Sequence, residues 1–193
     1  MTQTLDAVLD EIARHLARGA SDRRSPVHTP VVATADADAR VMVLRDFDAT
    51  SWTLRFHTDA RAPKVGVVGS DPRIGVLAYD RAQKVQLRLR GKGRILSEGE
   101  QVDKAWQASD NFARRCYLGE GPGAASDEPT SGLPEAFEGV EPTDAQIVPG
   151  RANFAILLVE LQVLDWFHLA HTGHRRARFE RFGTGWEGHW IAP

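Results

Sequence analysis

The segment Lys84–Leu96 alternates in character, with Val85, Leu87 and Leu89 pointing one way and Gln86, Arg88 and Arg90 the other. A period of two fits an extended chain with one dry face and one wet face. Such a strand needs partners, and runs of β-branched and aromatic residues supply them. They lie at Thr29–Ala35, Val41–Phe47, Trp52–His57 and Arg73–Tyr79, and again at Asn153–Phe167, Arg175–Phe182 and Gly185–Ile191. Asp46–Ser51 reads as a hairpin loop between two of these runs, and Gly183-Thr184-Gly185 as the turn of a closing hairpin.

Helices are fewer. Leu5, Val8, Leu9, Ile12 and Leu16 recur at helical spacing, so residues 4–18 read as an amphipathic helix with Thr4 as its cap and Gly19 as its stop. Pro63–Val68 reads as a short helix ended by Asp71-Pro72. Glu98–Tyr117 reads as one longer helix, with no Pro or Gly between Glu100 and Leu118. Between Arg115 and Arg151 there is no Lys or Arg, but seven Asp or Glu, six Gly and five of the ten Pro. That composition buries little apolar surface and predicts a long or partly disordered loop over about 119–150. Six or seven strands joined mostly by tight turns, with helices at the start and in the crossovers, predict a mainly β (α+β) antiparallel barrel. Its 193 residues suit a single domain. A parallel sheet would need a helix between most strands.

Charge narrows the partners. A formal net charge of −2 gives no global attraction to nucleic acid or anionic membrane. The single Cys116 excludes a disulfide framework and fits a reducing, cytoplasmic setting. The acidic, alternating start of the chain is not expected to be a signal peptide. Two cationic clusters stand out against this neutral background: the wet face of Lys84–Leu96, and His174-Arg175-Arg176-Ala177-Arg178. Each is either a solvated strand face or the holder of one small anionic ligand. His168, His171 and His174 repeat every three residues, but neither a strand nor a helix brings all three together, so no metal is expected. Cys116, among Arg114, Arg115 and Tyr117, reads as an inert core residue, and Trp166, Trp186 and Trp190 as core aromatics.

Several segments in order match one pattern: Arg40-Val41-Met42-Val43-Leu44-Arg45; Phe56-His57-Thr58-Asp59 with Lys64 following; Asp71-Pro72-Arg73; Val85 to Gly91; and Trp166, an Arg-rich turn, Trp186 and Ala192-Pro193. In this the chain resembles the pyridoxamine 5′-phosphate oxidase-like family of FMN-binding split barrels. The resemblance implies an oxidoreductase, a homodimer and an FMN at the subunit interface, with hydride passing between flavin and an unidentified small substrate. By that pattern Arg40, Met42, Val43 and Leu44 would lie along the ring and ribityl chain. Thr58 and Lys64 would hold the FMN phosphate with help from Arg45 or Arg40, and His57 is a further cofactor-binding candidate. Gln86 would bond the ring edge, with Arg88 beside it on the same strand face, and Trp166 with Arg176 or Arg178 would come from the second subunit. His174 and Arg175 are candidate substrate contacts, and the acidic 119–150 segment could cover the site. The pattern departs at Pro63, where the family carries an Arg beside the Lys; Arg61 could substitute for it. The alternative reading is a non-catalytic module that binds or stores flavin, a tetrapyrrole or a deazaflavin.

Overall fold

The computed structural model describes residues 4–193. Helix α1 spans Leu5–Ser21 and Thr4 caps it, its side chain accepting from the Ala7 amide at 3.2 Å. The helix buries Val8, Ile12 and Leu16. It does not stop at Gly19. A Cβ there would lie 2.9 Å from the Val27 carbonyl oxygen, so this glycine permits a close approach rather than a helix end.

Among the described residues nine strands follow, not six or seven: β1 Val31–Ala33, β2 Ala39–Val41, β3 Leu44–Asp48, β4 Thr53–Asp59, β5 Arg73–Asp80, β6 Val85–Leu96, β7 Phe154–His168, β8 Arg175–Phe182 and β9 Gly185–Ile191. The eight runs read from the sequence each form a strand, and a ninth comes from the run Val41–Phe47. It breaks at Met42-Val43, where the chain leaves β1 as partner and takes β4 instead. β1 is also shorter than the run that predicted it, starting after Pro30, which has no N–H to give a ladder.

Every strand pairing is antiparallel. The order is β2-β1-β5-β6-β7-β4-β3, and β8 and β9 extend from β7. The 15-residue β7 runs beside β6 from Ile156 to His168, and its first half also pairs β4 and its second half β8. The β6–β7 register shifts between Arg90 and Gly91, where a Cβ on Gly91 would stand 2.2 Å from the Glu160 carbonyl oxygen. This bulge bends the two long strands so that one sheet curls into a split barrel. The interior is filled by Leu44, Leu54, Phe56, Leu87, Leu89, Leu161 and Trp166, backed by α1.

Helix α2 spans Pro63–Ser70. The single helix read over Glu98–Tyr117 is instead two, α3 Glu100–Gln107 and α4 Asn111–Arg114, followed by a 3-10 turn at Arg115–Leu118. The break has a local cause. The Asp110 carboxylate accepts from the Ala113 amide at 2.6 Å, capping a new helix rather than continuing the old one. Arg114 folds back to donate to the Trp106 and Gln107 carbonyls, both at 2.8 Å. The acidic stretch after it is mostly exposed loop, yet it also carries the short helix α5, Asp144–Ile147, with a Thr143–Gln146 capping box. Ile147 packs with Trp106, Tyr117, Phe154 and Ile156 in a second, smaller core outside the barrel. Among the described residues, no helix is long and apolar enough to cross a membrane.

Candidate functional site

A cavity of about 350 Å³ opens where the ends of β2 and β4 and the start of α2 face the α4 region. Seven of the residues singled out in the sequence line it: Arg40, Met42, Val43, Arg45, His57, Thr58 and Lys64. Topology brings them together. β4 delivers His57, Thr58 and Asp59 at its end, Pro63 starts the helix that holds Lys64, and the break between β2 and β3 lays Met42 and Val43 along the opening.

Positive charge gathers on this side. The Lys64 ammonium donates to the Thr58 hydroxyl at 3.1 Å, and Thr58 is buried. Burial, with the nearby Arg40 charge adding to it, lowers the Lys64 pKa. Arg40 is steered by its neighbours, donating to the Thr34 hydroxyl at 3.1 Å and pairing with Asp38. His57 is pushed down to about 3 by burial and by the charges of Arg45 and Arg55, so its ring is neutral at working pH. Its Nε2 is buried without a hydrogen-bond partner, while its ring meets Phe154 edge-on at 4.9 Å. Buried polar atoms are usually paired, so an orphan in a cavity wall marks a place where a bound group would complete the bonding.

The facing wall comprises Ser109, Ala113, Cys116 and Tyr117, with Pro122 beyond. Sequence reading missed these. The signal was the Ser109-Asp110 pair, an N-cap pattern inside what otherwise reads as continuous helix. Cys116 is exposed rather than part of the core. Its thiol donates to the Ala113 carbonyl at 3.1 Å and is held above the usual thiol range by desolvation against the wall and by the Asp59 charge. Arg61 does not line the cavity. It grips Asp59 with two bonds of 2.9 and 2.7 Å and donates to the Gly119 carbonyl at 3.0 Å, tying the acidic loop to β4.

The other candidates lie elsewhere. Leu44 is fully buried in the barrel interior. Arg88, Arg176 and Arg178 line a separate cleft of about 580 Å³ on the outer sheet face, with Val31, Ala33 and Leu77. There Asp165 accepts from Arg88 at 2.6 Å and from Arg176 at 2.7 and 3.0 Å, while Arg178 pairs with Glu180 at 2.7 Å. Gln86 sits half-buried on that same side of β6, paired between Tyr79 and Phe167. Trp166 is only 1% exposed, and its indole N–H donates to Glu11 at 3.1 Å. It borders a third cleft, together with Arg175. His174 packs edge-on to Phe167 at 5.5 Å. Of the three tryptophans read as core, Trp186 is partly buried and Trp190 is 43% exposed.

Fold and site together define a split barrel with a cation-lined cavity at the end of β4. Residues 10–97 match the family model described as "Pyridoxamine 5′-phosphate oxidase, FMN-binding domain", so that segment is similar to the pyridoxamine 5′-phosphate oxidase-related FMN-binding domains. Solved structures carry the same fold over the whole chain. A pyridoxamine 5′-phosphate oxidase-related, FMN-binding protein from Nostoc punctiforme superposes with a TM-score of 0.71 at 21% identity, covering 100% of both chains. PhzG from Burkholderia lata, solved with tetrahydrophenazine-1-carboxylic acid, gives 0.68 at 21% identity over 96% of this chain and 92% of its own. The general stress FMN/FAD-binding protein of Xanthomonas citri gives 0.51 at 11% identity, over 81% and 88%. Comparison with curated proteins finds no match.

Proposed function

We propose that this protein binds FMN in the β2–β4 cavity and works as a homodimeric FMN-dependent oxidoreductase on a small substrate. The observation that carries the reading is the convergence of Arg40, Arg45, Lys64 and Thr58 on one cavity beside the orphaned His57 Nε2. Three cations and a hydroxyl suit a phosphate, and Met42 and Val43 give the apolar edge a flat ring needs. Bound FMN would supply the redox chemistry, accepting or giving a hydride. The chain's own residues bind and orient. Lys64 and Thr58 fix the phosphate end, Arg40 is held in place by Thr34 and Asp38, and the facing wall keeps water from one side.

Dimerisation is supported by the outer sheet face. Leu77, 42% exposed, lines the cleft that holds the Arg88–Asp165–Arg176 cluster, and Tyr79, 46% exposed, follows it on β5. Apolar residues gathered beside a well-ordered ionic cluster suit a surface that another copy covers. In such a dimer Arg176 and Arg178 would reach the partner's cofactor, whereas Trp166, buried within its own barrel, would act through packing.

The test is anaerobic mixing of the purified yellow protein with nicotinamide and amine donors while flavin absorbance is followed. Bleaching within a turnover supports the enzyme. A flavin that stays oxidised against every donor moves the assignment to a binding or storage module.

A further inference from the structure

Accepting the FMN reading, the second wall of the cavity says what kind of molecule the flavin would meet. That wall is uncharged, although it is built from a segment rich in arginine. Arg114 spends its guanidinium on the Trp106 and Gln107 carbonyls and on Asn111. Arg115 donates to the Phe137 carbonyl at 3.0 Å and lies over the Phe112 ring at 3.6 Å. Arg61 is committed to Asp59 and Gly119. None of the three lines the cavity. What faces it from α4 and the following turn is Ser109, Ala113, Cys116 and Tyr117. Desolvation against the wall, with the Asp59 charge, raises the thiol, and burial raises the Tyr117 hydroxyl beyond the usual phenol range, so neither carries charge at neutral pH. The cations across the cavity, Arg40, Arg45 and Lys64, are those that a cofactor phosphate would use. Of the arginines that a second subunit could add, Arg178 is paired with Glu180, and Arg176 shares Asp165 with Arg88.

We infer that the substrate is a planar, uncharged molecule without a phosphate group, and that Ala113 and Cys116 set this preference. An anionic ester placed against this wall would lose hydration and gain no cation in return. A flat neutral ring would exchange water for Ala113, the Cys116 sulfur and the Tyr117 ring.

The experiment uses the FMN-loaded protein and a matched pair, 1-naphthol and 1-naphthyl phosphate. Stacking of an electron-rich ring on oxidised flavin produces long-wavelength charge-transfer absorbance, which reports binding directly. The expected result is saturable absorbance with 1-naphthol and affinity weaker by about tenfold or more for the phosphate, the equivalent of one missing charge-assisted contact. Ala113→Arg adds a cation to the wall and should narrow or reverse that ratio; Cys116→Phe should abolish naphthol binding while FMN stays bound. Equal or tighter binding of the phosphate by the unmodified protein, or no binding of either compound, overturns the inference while FMN binding stands. Failure of the protein to hold FMN overturns the underlying reading, and is seen first, as absent flavin absorbance.

Discussion

The two walls of the cavity are made in different ways. On one side, regular strands and the start of α2 present Arg40, Thr58 and Lys64 at positions set by sheet register. On the other, α3, α4 and a 3-10 turn present Ser109, Ala113 and Cys116 from chain held by caps and by arginine-to-carbonyl bonds. The first wall concentrates charge; the second uses its charges up inside its own scaffolding. A fold that keeps its cationic groups on the sheet and its neutral wall on irregular chain can change the second without disturbing the first.

The sharpest way to break this contrast is Lys64→Ala. The cationic wall would lose a half-buried charge and the donor to Thr58, and FMN affinity in a fluorescence titration is expected to fall by about a hundredfold, the equivalent of ~3 kcal/mol.

His57 tests the same wall through pH. Its folded pKa of about 3 lies below the unfolded value near 6.5, so below pH 6.5 the unfolded chain takes up a proton that the folded chain refuses. The neutral form's stabilising share is complete above pH 6.5 and declines as pH falls toward 3, by about 1.4 kcal/mol per unit. Urea unfolding at pH 6.5 and 4.5 should therefore show roughly 2–3 kcal/mol more acid sensitivity in the wild type than in His57→Gln. Equal slopes would place the ring in a wetter setting than described.

Arg61→Ala breaks the link between the walls. Asp59 is 7% exposed and would lose its only guanidinium clamp, while Gly119 would lose a donor. With Arg61 itself about one-third exposed, a loss of roughly 2 kcal/mol in chemical denaturation is expected, together with faster proteolysis within 119–150. The smallest effect belongs to Asp110→Ala. It removes the cap of α4 and should cost about 1 kcal/mol, loosening the neutral wall but leaving FMN affinity within twofold.

How much of this was legible in the sequence follows the same division. β6 could be read from Val85 to Leu96 because alternation encodes a half-buried strand directly, and α1 because Leu5 to Leu16 keeps helical spacing. The cationic wall was readable because its residues are local in sequence, running from Arg40 to Arg45 and from His57 to Lys64. The neutral wall was not. Residues 98–117 have helix-forming composition throughout, and the break depends on Asp110 capping and on Arg114 reaching back, a choice between two locally acceptable structures. The interruption at Met42-Val43 was hidden for a similar reason. The Met42 amide donates to the Pro30 carbonyl and the Leu44 amide to the His28 carbonyl, contacts that no local pattern predicts. Gly19 looked like a helix end because glycine often is one, whereas here Val27 presses against it. Sequence alone also grouped Arg88, Arg176 and Trp166 with the cofactor; within one chain they sit on the outer sheet face and in the barrel interior.

The central claim is that the β2–β4 wall holds FMN. The most direct measurement is the visible spectrum of the purified protein, with the mass of whatever heat releases from it. We predict flavin absorbance and release of FMN near one per chain, and its loss in the Arg40→Ala, Lys64→Ala double variant. A colourless protein that takes up no added FMN, or a double variant that keeps its full flavin content, would contradict the account.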